Sequence, residues 1–350
     1  MNGEIAELQE SVRRVLAGAA VPAGEERTWP LLVELGWLLA SVPEELGGLG
    51  QGPAGACAIS LELGRRLAGA PFVPAMLAVD AACHSELAER EGWVERLTGE
   101  GYVAAPLADC AIACEPAGGG KARLSGVATA VQSADRASHV LVWSADGDCV
   151  ALVPREQAGV ELVARPAWDA TRRLFDLRLA DVEVASQLVL ASGPAAQRLA
   201  GRLCTLRDLA LAADSVGGAT ALLELTVDHL QTRRQFGRPL ALFQALKHRC
   251  ADLKTLTSAA EALLLDSLAR QGDWSDEAAA ELQGKKVKHV GCSAFARVAE
   301  EALQLHGGIG MASEHQCHLF LKRALLNEHL GRQGDRYELD IAEALLASLA

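Results

Sequence analysis

The sequence predicts a mostly α protein with a β middle domain, ordered as helices, then strands, then helices. Three observations carry this prediction. Apolar residues recur at helical spacing near the N-terminus, short β-type runs are confined to about 103–190, and two sustained apolar seams follow. In the first region, 1–102, Ile5, Leu8, Val12 and Val15 form one helical stripe. Thr28-Trp29-Pro30 opens a second helix, with Pro tolerated in its first turn. Val42-Pro43-Glu44-Glu45-Leu46-Gly47-Gly48-Leu49-Gly50 is a turn before a helix that runs through Leu61 and Leu67.

In the second region, 103–190, the β-type runs are His139–Ser144, Cys149–Val153 and Arg173–Leu179. Ala145-Asp146-Gly147-Asp148 between the first two reads as a hairpin turn. Gly118-Gly119-Gly120 and Pro166 punctuate the rest, so a small antiparallel sheet is expected. In the third region, 193–350, Leu209, Ala213, Val216, Thr220, Leu223, Val227 and Leu230 alternate steps of four and three. Phe243, Leu246, Cys250, Leu253 and Leu256 continue on a second helix. Seams of this length imply long antiparallel helices packed as a bundle.

Bulk properties narrow the function. Half of the 350 residues are hydrophobic and 22% are charged, a globular composition. A net charge of −12 argues against nucleic acid as a partner. The N-terminal segment lacks the basic start and apolar run of a signal peptide. The apolar stretch Leu206–Leu230 carries Asp208, Asp214, Glu224 and Asp228, so it reads as a core helix and no membrane partner is expected. The nine cysteines follow no repeated pattern and read as reduced thiols, which places the protein in the cytoplasm as an expectation.

Two segments carry chemistry. Arg233-Arg234-Gln235-Phe236-Gly237-Arg238-Pro239-Leu240 is followed by Phe243-Gln244-Ala245. A long helix is expected to end at Gly237 and the next to start at Pro239, leaving a corner with arginines and an aromatic ring. Arg suits a pyrophosphate because its planar fork bonds two oxygens at once; the plainer reading is a helix–helix turn with solvated arginines. Gln304-Leu305-His306-Gly307-Gly308-Ile309-Gly310 places three glycines just past a helix, which suits close approach of a ligand or, more plainly, a helix C-cap.

Together the two segments resemble the acyl-CoA dehydrogenase family in residue type, order and separation. Val42–Gly50 looks like the family's N-terminal loop, and Trp168-Asp169-Ala170-Thr171-Arg172-Arg173 like the end of its middle domain. The resemblance covers nearly the whole chain and is strongest over about 206–326. It implies the acyl-CoA dehydrogenase fold: an N-terminal helical domain, an antiparallel β domain and a C-terminal four-helix bundle. It also implies an oligomer with FAD as cofactor, a role in lipid metabolism, and α,β-dehydrogenation of an acyl-CoA or other acyl thioester. In that reaction a carboxylate removes the α-proton while the β-hydride goes to the flavin, and electrons leave through an electron-transfer flavoprotein. By resemblance, Arg233 and Phe236 would contact the dinucleotide part of a flavin held mainly by a neighbouring subunit. Gln304, Gly307 and Gly308 would line it from the other side, with Gln244 a further candidate.

The chain departs from the family pattern at the base. Counting from Gly307-Gly308 places Gly331 at one usual base position, with Glu328 three residues earlier. Counting back from Arg233 places Arg207 at the other, beside Asp208. Asp214 lies two turns further along the same helix, about 10 Å away. Asp214, Glu328 and Asp208 are therefore the candidate bases, and Arg207 is expected near the entrance used by CoA phosphates. The middle domain departs too. Ala113-Cys114-Glu115-Pro116-Ala117-Gly118-Gly119-Gly120 replaces a Thr-Glu-Pro-x-Ala-Gly-Ser-Asp-like loop, and Ala130-Val131-Gln132 replaces a Trp-Ile-Thr-like segment that packs on the flavin. Such losses resemble members that form mixed tetramers, in which a longer subunit carries the base and a shorter one completes the site.

Glu314, His315, Cys317 and His318 are metal-ligand types within five residues, and on a helix 314, 317 and 318 share a face; helix packing or subunit contact is the reading adopted, and no metal is expected. Cys110 and Cys114, four apart, read as buried thiols. Three functions stay open: an acyl-CoA dehydrogenase acting alone or in a heteromer, a non-catalytic partner supporting another subunit's flavin site, and a fold repurposed without net oxidation.

Overall fold

The computed structural model describes residues 3–99, 101–270, 277–332 and 335–348. The N-terminal helices are α1 (Gly3–Leu16), α2 (Glu25–Glu34), α3 (Gly52–Arg65), α4 (Phe72–Cys83) and α5 (Arg90–Thr98). The strands are β1 (Val103–Ala104), β2 (Cys110–Pro116), β3 (Ala122–Gln132), β4 (His139–Trp143), β5 (Cys149–Pro154), β6 (Val160–Arg165), β7 (Leu174–Val184) and β8 (Val189–Ser192). Helix α6 (Pro194–Thr232), the two-residue strands β9 (Arg234–Gln235) and β10 (Arg238–Pro239), and helices α7 (Gln244–Arg270), α8 (Glu277–His306), α9 (Cys317–His329) and α10 (Arg336–Ser348) complete the chain.

The helix–strand–helix order follows from the apolar patterns. Ile5 and Val12 of the α1 stripe are buried and Leu8 is half-buried, but the stripe continues through buried Leu16, leaving Val15 39% exposed. Helix α2 begins at Glu25, so Pro30 sits inside it and not in its first turn. Thr28 donates its hydroxyl to Gly24 O over 2.9 Å in the first turn. Helix α4 is buried along its whole length, which explains its lack of a polar face.

Strands β1–β8 form two sheets, not one. One has the order β1-β4-β5-β8 and the other β2-β3-β7-β6. All their pairings are antiparallel except β1 with β4. Asp146-Gly147 turns β4 into β5, with Ser144 and the Asp148 N–H both bonded to Asp146 Oδ1. Gly118–Gly120 turns β2 into β3.

Helix α6 is the spine. By length and composition it could cross a membrane, yet 72% of its most apolar window is buried inside the protein. Its first half packs with α4 and the strands, α3 crosses its middle at Asp214 and Gly217, α8 runs along it from Thr205 through Ala212 to Gly218, and α9 joins its second half. Position along α6 therefore decides which face of the molecule a residue serves.

Candidate functional site

The corner after α6 is tighter than the glycine suggests. The helix ends at Thr232, not Gly237, and Arg233 N–H returns to His229 O over 2.9 Å. Gln235 then pairs with Arg238, and Arg234 with Pro239, in a hairpin whose tip is Phe236-Gly237. Both tip residues have positive φ, +52° and +77°, as a two-residue hairpin of this hand requires. Gly adopts this without penalty, whereas Phe does so under strain. Phe236 is nevertheless 88% exposed, touching the edge of Phe243 at 5.9 Å. The Arg238 guanidinium lies over the Phe243 ring at 4.1 Å. Gln244 is the first residue of α7, its amide 3.2 Å from His248 Nε2. A strained, exposed ring among exposed arginines is poor folding chemistry and good ligand or partner chemistry.

The second segment lies beside the first. Gln304 is exposed on the last turn of α8, and Gly307–Met311 form a single 3-10 turn. A side chain at Gly307 or Gly308 would meet nothing within 4 Å, so internal packing does not require glycine there. At Gly307 a φ of +64° does; at Gly308 the space above the backbone is open. The residues before each segment join them: the rings of His229 and His306 stack with centroids 4.5 Å apart.

The two positions where the resemblance expects a base come together, and both are sealed. Arg207 is 1% exposed, so it is not at an open entrance as expected. Its Nε and Nη2 each lie 3.0 Å from Asp208 Oδ1. Tyr337 donates its hydroxyl to the same oxygen at 3.0 Å and accepts the Arg332 N–H at 3.1 Å. Beneath it Gly331 takes φ +85° and gives its N–H to Leu107 O at 2.7 Å. A Cβ built on Gly331 would lie 2.0 Å from the Tyr337 oxygen and 3.3 Å from Asp208 Oδ1. Burial and the neighbouring Asp208 push the Tyr337 hydroxyl well above its usual range, so it stays protonated and donating.

The other two carboxylates stand apart. Asp214 is buried and fully engaged: Oδ1 faces Arg323 and Arg172 at 3.1 Å each, and Oδ2 accepts from Asn327 at 2.7 Å. Arg323 also holds Asp169 at 2.6 Å and bonds Thr171, while Arg172 donates to Asn327 Oδ1 at 2.8 Å. Burial pushes the Asp169 carboxyl up, but Arg323, Thr171 and Arg172 overcome it and hold it below its usual value. These three ion pairs tie α6 and α9 to the loop before β7. Glu328 is half-buried on α9 and lines a cleft of 230 Å³ with Lys288, His289, Cys292 and Tyr337. Burial raises its carboxyl.

In the middle region Ala130 and Val131 are buried, with Ala130 at φ +54° in a bulge of β3. Gln132 is turned inward and donates to Gly69 O at 2.9 Å. The residues where the resemblance expects flavin-packing side chains thus serve the chain's own core. The nine cysteines are free thiols, and burial pushes Cys110 up to about 12, which leaves it inert at neutral pH. Glu314–Gln316 lie outside any helix, since α9 opens at Cys317, and His315 packs its ring on His306 at 4.7 Å. The helical face read for 314–318 therefore does not form. Among the described residues no group of three or more His, Cys, Asp or Glu is arranged to hold a metal ion.

Helical ends, a two-sheet middle and a long-helix bundle define the class: an acyl-CoA dehydrogenase fold. Residues 3–98 match the acyl-CoA dehydrogenase N-terminal domain and 204–346 its C-terminal domain. The acyl-CoA dehydrogenase IpdE2 of Mycobacterium tuberculosis is 31% identical over 336 residues, covering 91% of this chain and 89% of that one. The chain belongs to the acyl-CoA dehydrogenase family, whose members are FAD-binding flavoproteins. Among solved structures, the Tcur3481-Tcur3483 steroid ACAD superposes with TM-score 0.86 at 25% identity, covering 99% of this chain and 98% of that one. The ChsE4-ChsE5 complex from Mycobacterium tuberculosis does so with TM-score 0.84 at 25% identity, covering 94% and 93%.

Proposed function

We propose that this chain is the site-completing subunit of an FAD-dependent acyl-CoA dehydrogenase that oxidises an acyl thioester. It would offer Arg233, Phe236, Gln304, Gly307 and Gly308 to the dinucleotide half of a flavin whose ring, and whose catalytic carboxylate, belong mainly to a longer partner. The observation that carries this reading is the contrast between the two halves of the site. The dinucleotide residues are exposed and joined, whereas Arg207 and Gly331 are closed over by Asp208 and Tyr337. Two structural relatives are named as pairs, ChsE4-ChsE5 and Tcur3481-Tcur3483, which supports a two-chain assembly.

Fit to the flavin differs between the halves. The open face above Gly307 and Gly308 and the outward Phe236 suit an adenosine diphosphate group, with Arg233 supplying a fork for its oxygens. Buried Ala130 and Val131 offer nothing to a flavin ring. When bound, the flavin supplies the hydride acceptor. This chain's residues bind and orient its dinucleotide end, where positioning alone lowers a barrier substantially. Asp214 and Asp208 have structural roles in this account, because both Asp214 oxygens are committed to Arg323, Arg172 and Asn327, and Asp208 Oδ1 to Arg207 and Tyr337. Electrons would pass to an electron-transfer flavoprotein, and the working location would be the cytoplasm.

Light scattering on the purified chain, alone and co-expressed with a longer family member, tests the assembly. A mixed dimer or tetramer is expected. A stable monomer that ignores every longer family member would contradict the proposal.

A further inference from the structure

A stack of histidines lies under the dinucleotide corner, and no part of the account above uses it. His229 is in the last turn of α6 and His306 ends α8; their rings are 4.5 Å apart and inclined by 28°. His315 also lies against His306, with ring centroids 4.7 Å apart and planes inclined by 58°. The stack touches both cofactor segments through the backbone. Arg233 N–H bonds His229 O, and Gly307 directly follows His306.

The hydrogen bonds determine which nitrogen is open to a proton. His306 Nδ1 lies 2.8 Å from Ala302 O, a carbonyl that can only accept, so Nδ1 carries the hydrogen. The Nε2 lone pair is then left buried, with no hydrogen-bond partner among the described residues. His315 is committed in the opposite sense, because its Nδ1 accepts the Cys317 N–H at 3.1 Å. Protonating His315 there would break that bond; protonating His306 at Nε2 breaks nothing.

Two effects compete over that proton. Both helices end here, and their C-terminal carbonyls favour a cation. Burial opposes it and wins in the free protein. It pushes His306 and His229 below the ordinary imidazole value, with His315 and, for His229, Arg233 adding to the effect and Asp228 opposing it. His315 is lowered by burial and by His318. A doubly charged pyrophosphate above Gly307 would tip this balance, since a buried ion pair is screened little.

The geometry points to a proton-linked dinucleotide site: binding of the diphosphate at Arg233–Gly307 draws one proton onto the His229–His306 stack at His306 Nε2. This inference rests on the dinucleotide role proposed above. By linkage, affinity must fall as pH rises through the window where only the bound form is protonated, by at most about tenfold per pH unit for one proton.

The test is calorimetric titration of FAD into the mixed assembly of this chain with a longer family member, freed of flavin, in MES and in imidazole, whose ionisation enthalpies differ. FAD is the probe because its pyrophosphate is a diester and does not titrate in this range. The expected result is net proton uptake near neutral pH and binding about threefold or more tighter at about pH 5.5 than at about pH 7.5. Phe at position 306 keeps a ring in the stack, so His306→Phe should bind FAD without proton uptake, and Arg233→Ala should bind weakly with uptake retained. His229→Phe, at a half-exposed position, is the second variant should the buried one fail to fold, and it should reduce the uptake. Wild-type binding whose enthalpy ignores the buffer overturns the inference alone, as does full uptake in His306→Phe. Absence of FAD binding at every pH removes the dinucleotide role itself, and the inference with it.

Discussion

The Tyr337 hydroxyl bonds Asp208 Oδ1 at 3.0 Å and stands where a side chain on Gly331 would have to begin. The position where the resemblance expects a base is thus filled from within the chain, by a residue six places further on. Gly331→Ala should destabilise the protein by about 1–3 kcal/mol, through overpacking and a φ that favours glycine. Tyr337→Ala should cost stability alone but give back part of the Gly331→Ala loss in the double variant. Urea unfolding of the four proteins measures this coupling, and strictly additive losses would show that the contact is not what excludes a side chain.

Asp214 gives a second, separable outcome. Asp214→Ala leaves Arg323 and Arg172 buried with one carboxylate, Asp169, between them, and should cost about 3–5 kcal/mol. In an assembled, folded complex at low temperature it should leave turnover per bound flavin nearly unchanged. A stable variant that has lost turnover selectively would make Asp214 a base after all.

The same network sets an acid limit. Asp169 titrates below its unfolded value, so the folded state binds fewer protons in between. Its stabilisation is complete above the unfolded value of about 3.9 and is lost as pH falls through the folded one. Asp169→Asn should therefore flatten the acid limb of a stability–pH curve below about pH 4, while lowering stability at neutral pH.

At the corner, Arg233→Ala should weaken flavin retention about tenfold or more through loss of a charge-assisted contact, and Arg233→Lys should restore it only in part. Phe236→Ala should weaken retention too, and it relieves little strain because Ala shares the φ penalty. Neither residue is buried, so the flavin-free melting temperature should move little. Flavin absorbance after gel filtration reads the first effect and calorimetry the second.

Much of the fold was legible because periodicity is local. The α6 seam, the Asp146-Gly147 turn and the shift to strands after 102 each lie within a few residues of sequence. The Arg233–Leu240 and Gln304–Gly310 segments stood out for the same reason. The helix end before Arg233 was not legible, because nothing in residue type announces Phe236 at φ +52°. The features that decide the candidate site depend on contacts between residues distant in sequence. Asp214 meets Arg323, 109 positions on, and His229 meets His306. Arg207 looked like an entrance charge because its neighbour Asp208 could have pointed either way, and Tyr337 was one of many residues past α9 until the chain folded back over Gly331.

The central claim is that the chain completes a flavin site without supplying its base. Anaerobic flavin absorbance on adding a panel of acyl-CoA thioesters tests it most directly, first with the flavin-loaded chain alone and then with a base-bearing family member co-expressed. The account predicts that the chain alone keeps its oxidised spectrum and that the mixed assembly bleaches. Rapid bleaching by the chain alone would contradict it.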